Sequence, residues 1–302
     1  GFDEGVVSSD VQLEVEGATL AYDLFSSGEP ILLIHGAFIA DAFLPLVTEP
    51  LLIGNYQLIV YHRRGYGKSS HPKTPTSITE QAADCEAILL HLGITSAHFL
   101  GHSLGACIAL ELTLKHTDIV QSLALLEPAL IAGASGPAYR DTLQQGWQRF
   151  TNEDPETLVD EFLLARYGNG YRTELERVLP GALDKAVADA WTAFEQDAPV
   201  YLHEGSDKPK PGDPAAGLAV YGSESISVWA RFGETQLLLK WFPRIEGFLL
   251  PGAAHGLQLQ NPHGMAMALL ISGPAIPYNG EEPQPSHEAD HAFTIIPLQD
   301  QR

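Results

Sequence analysis

Cysteine is scarce in this sequence, and long apolar runs are absent from it. The two cysteines, Cys85 and Cys107, are too few for a disulfide framework. Both lie in helical patterns, so we expect buried free thiols and a reducing compartment. No stretch approaches the roughly 18 consecutive apolar residues that a membrane-spanning helix needs. These shortages argue against a disulfide-stapled secreted domain and against an integral membrane protein.

Basic residues are also few, with 17 Lys and Arg against 38 Asp and Glu and a net charge of −21. Such a surface repels phosphate backbones and anionic bilayers, so we expect a small-molecule substrate and no nucleic acid or membrane partner. The first four residues show neither the basic nor the apolar region of a secretory signal. We therefore expect a cytoplasmic protein, although the missing initiator Met leaves open a signal that was already removed.

Apolar runs and helical patterns alternate along the chain, which predicts an α/β fold: a mostly parallel eight-stranded sheet with helices on both faces. A length of 302 residues fits one main domain with an insertion better than two equal domains. The predicted strands lie near 11–16, 18–25, 30–34, 56–61, 97–101, 121–126, 217–221 and 246–250. The predicted helices lie near 41–52, 77–92, 104–115, 226–240 and 262–271.

The alternation stops after the sixth predicted strand. From residue 131 to about 213, apolar residues recur at helical spacing with no strong strand, which predicts a helical cap inserted after strand six. The predicted core is residues 1–130 and 214–273, and a Pro-rich tail follows over 274–302. The cap holds 15 acidic and 8 basic residues, so its charge disfavours anionic substrates.

The segment Gly-His-Ser-Leu-Gly at residues 101–105 lies between a predicted strand and a predicted helix. A nucleophile elbow requires this context, because its serine stands on a sharp strand-to-helix turn with no room for flanking side chains. Taken alone, the pattern also fits an ordinary turn. Upstream, residues 35–38 follow a buried strand, and amides in such a turn supply part of an oxyanion hole. Downstream, His255 follows the last predicted strand.

In this order, the motifs resemble those of the α/β-hydrolase superfamily. The matching segments are His35-Gly36, Arg64 to Ser69, Gly101 to Gly105 and Gly252 to His255, over roughly residues 11–270 apart from the predicted cap. The resemblance implies that Ser103 is the nucleophile and His255 the base. It also implies that the amides of Ala37 and Leu104 are the oxyanion donors. It does not define a substrate, since this fold hosts many chemistries.

Two positions depart from the family pattern. His62 stands where the family usually has a structural aspartate, and Ser225 stands where the triad aspartate usually follows strand seven. A neutral serine does not stabilise an imidazolium as a carboxylate does. Glu127, at the end of the sixth strand, is the first candidate for the acid, because some family members carry their acid there. Glu224 is the second candidate, and a loop-anchoring Glu127 with no triad acid also stays open.

Three aromatic residues are candidates for the substrate pocket: Phe38, Trp147 and Trp229. Aromatic residues on amphipathic cap helices more often form a local core than a pocket. We expect His35 and His102 to serve as hydrogen-bonding scaffolds in their turns and not as bases.

The C-terminal tail contains a His-Glu-x-x-His pattern at residues 287–291. Such a pattern binds zinc on a stable helix with a third ligand nearby. Prolines at 283 and 285 precede it, and no helix is predicted there. We therefore expect no metal site, and we expect no cofactor elsewhere in the chain.

Together these features predict a serine esterase or lactonase. It would cleave an ester, lactone or related acyl bond of a small, neutral, fairly apolar molecule through an acyl-enzyme on Ser103. A C–C bond hydrolase is one alternative. The other is a hydrolase-like ligand-binding or receptor protein with little turnover, which the unusual acid position keeps open. Serine at the elbow argues against epoxide hydrolase and haloalkane dehalogenase chemistry, because those relatives use Asp there.

Overall fold

The computed structural model describes residues 5–129, 136–200, 217–225, 238, 242 and 244–271. Its strands are β1 (Val6–Val15), β2 (Ala18–Phe25), β3 (Glu29–Ile34), β4 (Tyr56–Tyr61), β5 (Ala97–His102), β6 (Val120–Leu126), β7 (Gly217–Gly222) and β8 (Ile245–Leu250). They form one eight-stranded sheet in the order β1-β2-β4-β3-β5-β6-β7-β8. β2 pairs antiparallel with β1 and β4, and the other neighbours are parallel. The predicted mostly parallel sheet is confirmed.

The α-helices lie mainly in the connections between the strands. They are α1 (Pro50–Ile53), α2 (Ile78–His91), α3 (Leu104–Lys115), α4 (Gly136–Phe150), α5 (Pro155–Tyr167), α6 (Tyr171–Val178), α7 (Ala182–Ala188), α8 (Leu257–Gln260) and α9 (Pro262–Ile271). Short 3₁₀ helices span Leu44–Thr48 and Thr117–Ile119, and a π-helix spans Thr192–Asp197. Among the described residues, none of these helices is both long enough and apolar enough to cross a bilayer.

Alternate residues of the parallel strands face two apolar layers. Leu32 and Ile34 of β3 belong to the layer that α2 and α3 cover. Ile31 and Leu33 belong to the opposite layer, which α1 and α9 cover. Because side chains in a strand point alternately to the two faces, strands buried on both faces read as continuous apolar runs.

Most predicted elements agree with the structure, and one predicted helix is wrong. Ser77 caps α2 through a capping box with Glu80. The helix predicted over 41–52 is instead a 3₁₀ helix followed by α1. Pro45 and Pro50 lie in the first turns of these two short helices, because proline has no amide to continue a longer one. The helix predicted over 226–240 lies outside the described residues, apart from Leu238.

The chain between β6 and β7 is helical where it is described, from α4 through the π-helix. We call residues 136–200 the inserted segment. It has its own apolar cluster, which includes Leu158, Leu163 and Phe194, and Phe38 and Ile39 from the loop after β3 join it. The inserted segment therefore packs on the loop that leaves the carboxyl end of β3. The exact division into core, cap and tail stays a prediction, and residues 274–302 lie outside the described ranges.

Candidate active site

Ser103 occupies a strained turn between β5 and α3. Its φ of 54° and ψ of −115° are unusual for a residue other than glycine. A Cβ on Gly101 would lie 2.5 Å from the carbonyl oxygen of Gly105, and a Cβ on Gly105 would lie 2.0 Å from that of Ile34. Only glycine fits at these two positions. The local sequence thus produces the strand, sharp turn and helix that an elbow requires.

The loop after β3 packs directly against this turn. A Cβ on Gly36 would lie 3.0 Å from both the Ser103 Cβ and the His102 carbonyl oxygen. Ala37 and Leu104 line the same cavity as Ser103. Leu104 is the first residue of α3, and the first amides of a helix have no acceptor within the helix. Both residues predicted to be oxyanion donors are therefore at the elbow.

His255 and Glu127 are both buried and lie side by side. His255 Nδ1 is 3.8 Å from Glu127 Oε2, within ion-pair range but longer than a hydrogen bond. Glu224 is exposed, and the hydroxyl of the neighbouring Ser223 lies 3.4 Å from its carboxylate. Of the two candidate acids, the structure thus brings Glu127 to the histidine and leaves Glu224 at the surface.

Ser225, expected only as a substitution at the usual acid position, contacts the alternative acid. Its hydroxyl lies 2.6 and 2.9 Å from the two carboxylate oxygens of Glu127 and donates to them. Burial raises the pKa of Glu127 to about 7, although donors from Ser225 and the Gly222 backbone oppose the shift. Glu127 itself has a φ of 40°. This conformation is unfavourable for a residue other than glycine, so the surrounding structure must stabilise it.

The histidines of the site are held neutral by burial. Burial and the charge of Arg166 lower the pKa of His255 to about 3, so its resting ring is neutral. Burial and the neighbouring His255 lower the pKa of His102 to about 3. His102 Nε2 donates to the His255 carbonyl oxygen at 2.7 Å, since a carbonyl only accepts. His102 is thus a hydrogen-bonding scaffold, as expected.

A cavity of about 40 Å³ opens on Ser103. From the core it is lined by Ala37, Phe38, His102, Ser103, Leu104 and His255. From the inserted segment it is lined by Thr142, Leu143, Gly146, Phe162, Leu163, Tyr167, Ala193, Phe194, Asp197 and Ala198. Most of these residues are apolar. The two parts of the fold therefore meet at the predicted nucleophile.

The three predicted pocket aromatics have different positions. Phe38 lines the cavity and packs against Phe162 and Phe194, with ring centroids 4.6 and 5.4 Å apart. Trp147 is not among the described residues that line the cavity. Its indole Nε1 instead donates to Glu195 at 3.0 Å, and its ring packs on the core layer beneath α3. Trp229 lies outside the described residues.

A buried ion pair that sequence reasoning missed joins the core to the inserted segment. The Arg63 side chain is only 1% exposed. Its Nη2 lies 2.9 Å from Asp197 Oδ2, and its Nη1 lies 3.3 Å from Asp197 Oδ1. Tyr66 also donates to Asp197, at 2.5 Å. Burial disfavours the charged guanidinium, but the Asp197 carboxylate outweighs it and raises the pKa of Arg63. The pair is 134 residues apart in sequence, so no local pattern indicates it.

Metal-binding side chains do not cluster in the described part of the chain. Within the described ranges, no group of three or more His, Cys, Asp or Glu residues is placed to hold a metal ion. The His-Glu-x-x-His pattern at 287–291 lies outside those ranges.

Comparison with known proteins identifies the family to which the chain belongs. A model of the alpha/beta hydrolase fold matches residues 29–210. A putative carbamate hydrolase, RutD, of Azorhizobium caulinodans is 36% identical over 232 residues, which span 77% of this chain and 69% of that protein. The chain belongs to the α/β-hydrolase family and is an enzyme of that class.

Solved structures of other proteins share the fold at low sequence identity. The enol-lactonase of Burkholderia xenovorans LB400 is similar with a TM-score of 0.74 and 18% identity, over 86% of this chain and 98% of that one. A thermophilic esterase of Thermogutta terrifontis is similar with a TM-score of 0.74 and 18% identity, over 87% and 97% of the two chains. At such identity the likeness concerns the fold alone.

Proposed function

We propose that this protein hydrolyses an ester, lactone or related acyl bond of a small, neutral, fairly apolar molecule through an acyl-enzyme on Ser103. The observation that carries the proposal is Ser103 on a strained elbow, facing one cavity with His255, Ala37 and Leu104. Ser103 Oγ attacks the acyl carbon while His255 takes its proton. The Ala37 and Leu104 amides stabilise the oxyanion. His255 then protonates the leaving group and activates the water that releases the acid.

Glu127 completes the triad in this proposal. When His255 accepts the proton, the ionised Glu127 stabilises the imidazolium. The 3.8 Å separation suits a resting pair, because catalytic hydrogen bonds often tighten only in the transition state. With a pKa of about 7, Glu127 is mostly ionised only above neutral pH. The hydrolase should therefore be most active in mildly alkaline solution.

We further propose that the inserted segment is a lid that opens for substrate. A cavity of about 40 Å³ holds only a few water molecules, whereas pockets for organic ligands usually measure about 300–1,000 Å³. Substrate entry therefore requires helices such as α4 and α5 to shift. The apolar lining favours apolar acyl groups once the lid closes and excludes bulk water.

The named relative adds one substrate class to this proposal. A carbamate carries an acyl carbon bonded to nitrogen, so attack by Ser103 would give a carbamoyl-enzyme by the same steps. The putative carbamate hydrolase shares 36% of its aligned residues with this chain. Carbamates therefore belong in a substrate screen beside neutral esters and lactones.

Labelling with a fluorophosphonate tests the proposal. The wild-type protein should gain one phosphonyl group, located at Ser103 by peptide mass spectrometry. The Ser103→Ala variant should resist labelling, fold normally and lose roughly 10⁴-fold or more in turnover. A folded wild-type protein that stays inert to the reagent would favour the ligand-binding alternative. Turnover that survives in pure Ser103→Ala protein would rule out the serine mechanism.

A further inference from the structure

We infer that Arg63 is a positioning residue that orients and polarises the peptide group supplying one of the two oxyanion amides. The inference rests on the proposed function, because it concerns the same oxyanion hole. The peptide group in question joins Gly36 to Ala37. Its N–H belongs to Ala37, and its carbonyl belongs to Gly36.

Two donors hold the carbonyl end of this peptide group. Arg63 Nη2 donates to the Gly36 oxygen at 3.0 Å. His35 Nδ1 donates to the same oxygen at 2.7 Å, because His35 Nε2 already accepts the Arg63 amide at 2.9 Å. The peptide group is planar, so fixing its oxygen also fixes the direction of the Ala37 N–H. Donors on a carbonyl also polarise the N–H at the other end, most strongly when the donor is charged.

The guanidinium is itself held in one orientation. Arg63 Nε donates to the His35 carbonyl oxygen at 3.0 Å, and Nη1 donates to Gln81 Oε1 at 2.7 Å. The planar guanidinium thus donates to two successive carbonyls of the loop after β3, those of His35 and Gly36. A lysine would keep the positive charge but would lack the planar set of N–H donors, so it could not donate to both carbonyls in the same geometry.

Asp197 links this arrangement to the inserted segment. It pairs with the guanidinium from the π-helix and also lines the cavity over Ser103. If the π-helix leaves the core, Arg63 loses this partner, and water that enters can compete for the donors of the guanidinium. The oxyanion peptide is therefore held most firmly when the inserted segment is docked. Closure over the substrate and completion of the oxyanion hole become one event.

Arg64 offers a matched control within the same motif. It forms a second buried two-point ion pair, with Nε and Nη2 at 2.8 and 2.6 Å from the Asp84 carboxylate. It also donates to a backbone carbonyl, that of Glu16, at 3.0 Å. Glu16 lies in the turn between β1 and β2 and Asp84 lies on α2, and neither lines the cavity. Replacing either arginine with lysine therefore removes similar chemistry, but only Arg63 reaches the oxyanion peptide.

The test compares Arg63→Lys with Arg64→Lys by the kinetics of fluorophosphonate labelling, below the melting temperature of each. We expect Arg63→Lys to lower the limiting labelling rate about 10- to 100-fold, less than loss of an oxyanion donor outright, with reagent affinity within about threefold. Arg64→Lys should label within about threefold of wild type. Asp197→Asn keeps the Arg63 guanidinium but replaces its ion pair with a weaker neutral contact. This variant should lower the limiting rate about 3- to 10-fold.

The outcomes separate this inference from the proposed function. If wild type labels rapidly and Arg63→Lys labels no more slowly than Arg64→Lys, the positioning role is wrong and the serine mechanism stands. An unlabelled wild type would defeat both. If Arg63→Lys fails to fold, Asp197→Asn decides, and a limiting rate equal to that of wild type overturns the inference.

Discussion

Glu127 is a buried carboxylate at the end of β6, and its burial has opposite consequences for activity and stability. In the proposed mechanism, its charge stabilises a protonated His255. The same charge is costly in a site that is 1% exposed, which is why its pKa rises to about 7. Donation from Ser225 reduces this cost without removing it. At the residue scale, the proposed triad acid is thus a carboxylate whose ionisation costs the fold free energy.

Replacing Glu127 with glutamine should lower activity and raise stability. We expect kcat to fall roughly 10²- to 10⁴-fold, since the amide does not stabilise an imidazolium. Between pH 4.5 and 7, the folded wild type keeps a proton that the unfolded chain has released, so its stability declines as pH rises. The variant avoids this loss, worth up to about 3 kcal/mol above pH 7 for a rise from 4.5 to about 7.

Urea unfolding at several pH values measures this difference. The stability gain of Glu127→Gln should be full at pH 8 and should vanish below about pH 4, where Glu127 is mostly protonated in both states. A variant that is less stable than wild type at pH 8 would contradict the account, because it would show that the ionised carboxylate stabilises the fold.

Ser225 should set the pH at which the triad becomes active. The Ser225→Ala variant loses a donor that favours the ionised form of Glu127, so the pKa of that carboxyl should rise. The acidic limb of the kcat profile should move to higher pH by up to about 1 unit, with little loss at pH 9. Ser223→Ala is the control, because that hydroxyl contacts Glu224 and the Gly252 amide instead. Equal profiles for both variants would argue against this role.

Sequence reasoning proposed the candidate residues whose signals are local. Ser103 and His255 each follow a readable strand, and Glu127 ends one. The contact between Ser225 and Glu127 spans 98 residues, and that between Arg63 and Asp197 spans 134. Such contacts depend on how β7 and the π-helix pack against distant elements. No pattern within a single segment carries that information, which is why the Arg63 network was not predicted.

At the scale of elements, apolar periodicity predicted the sheet and its main helices but not the details at polar or proline-rich places. β1 begins at Val6 instead of near residue 11, and its ladder shifts register between Ser8 and Val11. The polar residues there break the alternation that marks a strand. The inserted segment was predicted as helical because its helices each bury an apolar face. Its packing against Phe38 was not readable from that periodicity.

Helix α5 supplies one wall of the cavity, so shortening a side chain there should change substrate preference. Phe162 lines the cavity and packs against Phe38. We expect Phe162→Ala to raise kcat/KM for long-chain esters relative to acetyl esters by about tenfold, since each methylene accommodated contributes about 1–3 kcal/mol. The p-nitrophenyl esters from acetate to decanoate measure this preference.

Leu164→Ala is the control for α5, since Leu164 lies on the same helix and is 42% exposed. Its chain-length profile should match that of wild type. If the chain-length profiles of both variants shift alike, or if neither profile shifts, α5 does not limit the length of the acyl chain. The proposed closed position of the inserted segment would then need revision.

For the whole molecule, the dominant physical property is its net charge of −21. The surface ion pairs contribute little to stability, as is usual for exposed pairs. The excess of carboxylates has a larger effect on which substrates reach the site, because it repels anionic ones. Charges around an entrance change the local concentration of a charged substrate, and salt screens that effect. The Debye length falls from about 30 Å at 0.01 M salt to about 8 Å at 0.15 M.

Selection against anionic substrates should therefore weaken as salt is added. Two p-nitrophenyl esters of matched chain length, one ending in a methyl group and one in a carboxylate, test this on the wild-type protein. We expect the ratio of their kcat/KM values, neutral over anionic, to fall several-fold between 10 and 150 mM NaCl. The neutral ester alone should change little and serves as the internal control. A ratio that favours the neutral ester equally at every salt concentration would mean that the apolar cavity wall rejects the carboxylate by desolvation. The long-range field of the protein would then play no part in its specificity.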